Sequence, residues 1–249
     1  MSESLSLTLR TRRAIRDLET RVSWEVVETA ASWSPEHTGL VLCDVWDRHP
    51  CVGAELRLET MLPRMQRVVK ALRDRGALVV HAPSETMAFY DGAPARLRAL
   101  DAPSVPLPLA MDHEDPPLPV DSSDGGCDTT PYTPRKAWSR QHKAIEIDQE
   151  LDVISDSGAE LYSVYQNRRI ETVLIMGVHT NMCVLNRTFA IKAMVRSGVR
   201  IALIRDLTDA MYNPLKPPYV SHDDGTRLVV EYIEKFWCPT IASDQVLAE

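Results

Sequence analysis

Four short segments of the chain are apolar almost throughout: Thr38–Trp46, Ala77–His81, Thr172–Gly177 and Val199–Ile204. A strand with one wet face alternates, whereas a strand covered on both faces reads as a continuous apolar run, so these four predict a parallel sheet between two layers of helices. Between the first two, Leu56, Leu58, Met61, Met65, Val68, Val69 and Leu72 recur at helical spacing within residues 54–75, and Gly76 closes the helix. Strand, helix and strand then form one right-handed crossover unit. Further helices are predicted over 156–168 (capped by Ser155 or Asp156), over 182–197 (stopped by Gly198) and over about 224–236, before Pro239–Ala242. Ala144–Ile147 has the pattern of a short strand. The class is α/β: a doubly wound, mostly parallel sheet flanked by helices in three layers.

Two regions depart from that rhythm. Ser6–Arg10 and Trp24–Glu28 alternate in the manner of half-buried strands, so residues 1–35 read as an N-terminal extension carrying a β-ribbon, ahead of a main domain over 36–249. Residues 83–142 interrupt that domain. They are rich in proline, and Pro103 to Pro134 shows no sustained period, which suits a lid, an interaction arm or a tolerated insertion.

Composition narrows the partners. The 28 basic and 35 acidic residues leave a formal charge of -7, unlike the concentrated positive charge of nucleic-acid binders. No run approaches the apolar length of a membrane span, and MSESLSLTLRTRR lacks the apolar core of a signal peptide, so a cytoplasmic protein with no membrane partner is expected. The five cysteines are odd in number, scattered and without a C-x-x-C pair; reduced thiols in a cytosolic protein are the expectation.

Ligands of open α/β sheets bind beyond the carboxyl ends of the strands. The residues that close the apolar runs here are Asp44 with Val45-Trp46-Asp47, His81, Gly177-Val178-His179 and Arg205-Asp206, a polar set on an apolar scaffold. Cys183 lies in GVHTNMCV, at a strand-to-helix turn and in the first turn of the helix, where free N–H groups and the helix dipole favour a thiolate and can hold an oxyanion. On position alone a buried structural cysteine is an equal reading.

GVHTNMCV resembles the nucleophile segment of the isochorismatase-like cysteine hydrolases, a superfamily that includes nicotinamidases, N-carbamoylsarcosine amidohydrolases and isochorismatases. Leu40–Asp44 resembles its first strand, which ends in the catalytic Asp, and Val199–Asp206 the strand after the Cys helix. The resemblance spans roughly residues 36–245. It implies that Cys183 attacks a carbonyl carbon, that Asp44 accepts its proton, and that a thioester acyl-enzyme forms and is hydrolysed, cleaving a C–N bond of a small amide or carbamoyl compound without a cofactor. It also implies a cis peptide between Val178 and His179, aiming the His179 and Cys183 N–H groups at the oxyanion.

The resemblance further calls for a lysine shortly before Ser155, where this chain has Asp148, Glu150 and Asp152 instead. Lys143 is the leading substitute, with Lys136 and Arg140 as alternatives. Trp46, His81, Trp138 and Asn181 are candidate substrate contacts, although the tryptophans also suit plain packing. Asp47, His49 and His81 are the candidates for a metal, which is not expected: Asp47 and His49 follow the first strand, not the second. A homo-oligomer is expected by analogy. The competing readings are a weak or inactive relative that acts as a binding or assembly protein, and an ether hydrolase of the isochorismate type.

Overall fold

A computed structural model of the chain describes residues 4–17 and 20–247. Its strands are β1 (Leu5–Arg16), β2 (Val22–Trp33), β3 (Thr38–Cys43), β4 (Leu78–Ala82), β5 (Val153–Ile154), β6 (Thr172–Val178), β7 (Arg200–Asp209) and β8 (Thr240–Ile241). They form one sheet in the order β2-β1-β8-β7-β6-β3-β4-β5. Every pairing from β8 to β5 is parallel, and β1 pairs antiparallel with both β8 and β2.

Alternation along β3 explains the layers. Leu40 and Leu42 face α1 (Val52–Asp74) and pack with its Leu58, Leu62, Met65, Val68, Val69 and Leu72. Val41 and Cys43 face the other way, into a core shared with α3 (Gly158–Arg168), α5 (Ile191–Arg196) and α6 (His222–Phe236). Both faces of the strand are therefore buried, which is why its sequence shows no polar alternation. Helix α2 (Pro94–Leu100) flanks β5, α4 (Cys183–Asn186) follows β6, and α7 (Asp244–Leu247) packs against α1.

The chain runs from β3 outward to β4 and β5, then returns to place β6 on the other side of β3. The switch point thus lies between the carboxyl ends of β3 and β6, where the crevice of such a sheet opens. The two ends approach closely at Gly177, whose φ is +125° and where an added Cβ would lie 2.0 Å from the Cys43 carbonyl oxygen. Gly177→Ala is expected to cost about 3 kcal/mol through that clash and the forced positive φ; a denaturation midpoint equal to wild type would refute it.

Several elements differ from the sequence expectation. Ala144–Ile147 is not a strand: the Ile145 N–H closes a turn onto the His142 carbonyl at 3.1 Å, and the sheet edge is β5. The helix expected over 182–197 breaks into α4 and α5, with Arg187 at ψ 154° between them. Residues 83–142 hold a 3₁₀ turn at Met87–Tyr90 and α2. The expectation of five reduced thiols is wrong: Cys51 and Cys127 form a disulfide 76 residues apart in sequence. No local spacing announced it, because the irregular arm folds back on the start of α1. The disulfide also removes the cysteine argument for a cytosolic location. Among the described residues, no helix is long and apolar enough to cross a membrane.

Candidate active site

Asp44 follows β3 with φ +50°, a left-handed conformation that turns its side chain into the switch-point crevice. The residue is fully buried. Its Oδ1 accepts the Ser84 N–H at 2.7 Å and its Oδ2 accepts Nε–H of Arg187 at 2.9 Å. Cys183 opens α4 on the opposite lip, and its thiol lies close enough to the Asp44 carboxylate for each to shift the other's proton affinity. The Val178–His179 peptide is cis. A thiol, a buried carboxylate and a guanidinium thus meet at the switch point.

Burial pushes the Cys183 thiol up to about 12, the Asp44 charge adds to the rise, and Arg187 opposes it. Burial also raises the Asp44 carboxyl above its ordinary value, with Arg187, Ser84 and Cys183 pulling it back. Arg187 stays charged: burial acts against it, but Asp44 and Cys183 more than compensate. The thiol, its pKa raised by burial, sits beside the Asp44–Arg187 ion pair. Burial and the Asp44 charge thus act against the thiolate that the helix N-terminus was expected to favour, and α4 has only four residues.

No protein-family model and no curated protein matches the sequence. Solved structures do. A cysteine hydrolase from Pseudomonas syringae pv. phaseolicola 1448A is 18% identical, with a TM-score of 0.54 over 86% of this chain and 93% of that one. A protein assigned as an isochorismatase from Burkholderia xenovorans LB400 is 15% identical, with a TM-score of 0.52 over 85% and 86%. The fold is that of the isochorismatase-like hydrolases.

Against the isochorismatase-like pattern, the cation is the main correction. Lys143 is exposed on the 142–145 turn and borders a cavity of about 490 Å³ that Trp46 also lines but Asp44 and Cys183 do not. Lys136 Nζ donates to the Glu85 carbonyl at 2.5 Å, and the Arg140 guanidinium lies 5.4 Å from the centre of the Phe89 ring. None of the three is bonded to Asp44. Arg187 is, although the resemblance places the cation upstream, as a lysine. The available signal was an Arg one helical turn after Cys183, since i and i+4 share a face.

Two expected substrate contacts serve the scaffold instead. His81 is fully buried, with Nε2 2.8 Å from Asp152 and Nδ1 3.0 Å from Gln141, while Arg73 joins Asp152 at 2.6 Å. Asn181 is also buried, and its amide accepts the Met211 N–H at 2.8 Å and donates to the Met211 carbonyl at 2.9 Å, fixing the nucleophile turn to the chain after β7. Trp46 and Trp138 do meet near the triad: their rings stack at 4.1 Å, the Arg187 guanidinium lies 5.9 Å from the Trp46 ring centre, and Trp46 Nε1 donates to the Ser84 carbonyl at 3.1 Å. Trp138 Nε1 is buried and has no partner among the described residues.

The three metal candidates are engaged separately. Asp47 accepts the Ser139 N–H at 2.8 Å and its hydroxyl at 2.7 Å, His49 Nδ1 accepts the Cys51 N–H at 3.1 Å, and His81 is bound as above. Among the described residues the cluster with metal-ligand geometry is Cys51, Cys127 and Asp128, whose two sulfurs are joined to each other. Beneath the nucleophile turn lies a further group that the sequence did not single out. Arg57 bonds Asp209 at 2.9 Å and Asp128 at 2.7 Å, His222 bonds Asp209 at 2.9 Å, and the Asp209 carbonyl accepts the Thr180 N–H at 2.9 Å.

Proposed function

We propose that the chain is a cysteine hydrolase that cleaves a C–N bond of a small amide or carbamoyl compound. The observation that carries this reading is the buried Cys183–Asp44–Arg187 contact at the switch point. As the Cys183 sulfur attacks the carbonyl carbon, its proton passes to Asp44, so no free thiolate is needed. The oxyanion draws on the Cys183 and His179 N–H groups. Collapse expels the amine, which takes the proton from Asp44. Water then attacks the thioester with Asp44 as base, releasing the acid and restoring the thiol. Arg187 keeps Asp44 ionised between steps. The binding-protein alternative drew its support from a missing cation, and Arg187 supplies one.

The test is a panel of small amides and carbamoyl compounds assayed for ammonia or amine release, with intact-mass detection of an acyl adduct on Cys183. Cys183→Ala is expected to abolish both signals. No turnover and no adduct across the panel would count against the reading.

The pH dependence follows from the same charges. Asp44 must be ionised to accept a proton, and its carboxyl is raised, so the rate falls as pH drops through a midpoint above the ordinary carboxylate value of about 3.9. With the thiol near 12, iodoacetamide labelling of Cys183 keeps rising with pH beyond 9. A labelling plateau reached below pH 8 would show a preformed thiolate and sink this account.

A further inference from the structure

We propose that His49 donates a hydrogen bond from Nε2 to the substrate, so that the preferred substrate carries a second acceptor, a carbonyl oxygen or ring nitrogen, close to the scissile carbonyl. This deepens the hydrolase reading and rests on it. The imidazole spans the two walls of the crevice. On one side it is nearly parallel to Trp46 and Trp138, at 11° and 6° with centroids 6.4 and 6.2 Å away. On the other, its edge meets the ring of His179 at 4.8 Å, in the turn that presents Cys183. Trp46 is itself tied to the proton acceptor, because the Ser84 whose carbonyl it bonds also donates to Asp44.

The proton's position on His49 is fixed by the backbone. Nδ1 accepts the Cys51 N–H at 3.1 Å, so the neutral ring carries its hydrogen on Nε2. Burial lowers the His49 pKa, with the Cys51 contact and the Glu55 charge acting in the other direction, and the ring stays neutral near pH 7. No hydrogen bond to Nε2 is present among the described residues, which leaves one donor without a partner on a ring set between the tryptophan pair and His179. A donor built into a half-buried site discriminates strongly against ligands that leave it unpaired.

Two alkylating probes read this directly, without knowledge of the substrate. When the Cys183 sulfur displaces chloride from chloroacetamide, the amide oxygen sits one atom beyond the reacting carbon, within the space His49 borders. Allyl bromide reacts at the same sulfur, with bromide leaving, and has no acceptor. The readout is the ratio of the two labelling rates at Cys183, by peptide mass spectrometry. His49→Phe is expected to lower the ratio by about tenfold, the loss of one hydrogen bond, and His49→Gln, which keeps an N–H donor at similar reach, to stay within about threefold of wild type. The allyl bromide rate controls for folding and access in each variant. An unchanged ratio in His49→Phe overturns the proposal, as does an equal loss in both variants, which would assign the effect to ring packing. If wild-type Cys183 reacts with neither probe, the hydrolase reading falls and this inference falls with it.

Discussion

Arg187→Met is expected to lower kcat for amide hydrolysis at pH 7 by about 10²–10³-fold, the usual scale for removing a preorganised charge from a transition state. Asp44 is fully buried, and its remaining partners would be the Ser84 N–H and the Cys183 thiol. A carboxylate so enclosed takes up a proton, and a protonated Asp44 has no place for the one that Cys183 must lose. The defect should therefore shrink as pH rises, because a higher pH ionises the acceptor again. Stability should fall too, by about 2 kcal/mol: breaking a buried pair costs more, but the Arg187 side chain is 29% exposed and water screens part of the interaction. Arg187→Lys retains the charge and loses the Nε–H geometry, so it should recover part of the rate. Lys143→Ala should leave kcat unchanged. Rate-against-pH profiles for the three variants decide the matter, and wild-type kcat in Arg187→Met at pH 7 would end the claim that Arg187 is the cation of the site.

Reducing the Cys51–Cys127 disulfide is expected to cost about 3–4 kcal/mol of stability. The 76-residue separation sets an entropic scale of about 4.5 kcal/mol, from which structure retained in the unfolded chain subtracts. The disulfide does more than close a loop. It joins the residue preceding α1 to the irregular arm, packs with Met182 next to the nucleophile, and lies beside the Arg57–Asp128 ion pair. Trp138, one wall of the site, is on the same arm. Guanidinium unfolding of wild type with and without dithiothreitol, and of Cys127→Ser, measures the effect; coincident midpoints in all three would show that the bond contributes nothing.

What the sequence disclosed depended on how far away each partner was. The parallel sheet was legible because β3, β4, β6 and β7 are covered on both faces, and each strand records its own burial. Asp44 and Cys183 were legible because the rule about strand ends and the spacing of GVHTNMCV point to the same crevice. Arg187 was hidden inside an apparently regular helix. The segment after the break packs against a distant part of the chain: Gly158 so closely abuts the Thr188 carbonyl that an added Cβ would lie 2.0 Å from its oxygen. His81 closes a strand as a ligand-binding residue would, but Gln141 and Asp152 capture it. The disulfide was silent for the same reason, since its two halves belong to separate regions.

The placement of β1 has a consequence for the order in which the protein is made. Arg10 of β1 pairs with Thr240 of β8, so β1 finds its inner neighbour only once the far later β8 has been made. Until then the β1–β2 hairpin travels with an open edge on each side, the condition that invites pairing with other chains. Its first strand carries Arg10, Arg12, Arg13 and Arg16, charges that discourage such pairing. Glu231 and Glu234 of α6, which bind Arg10 and Arg12 in the finished molecule, arrive just ahead of β8. Nascent chains halted before α6 should be the ones that quality-control proteases and chaperones encounter most.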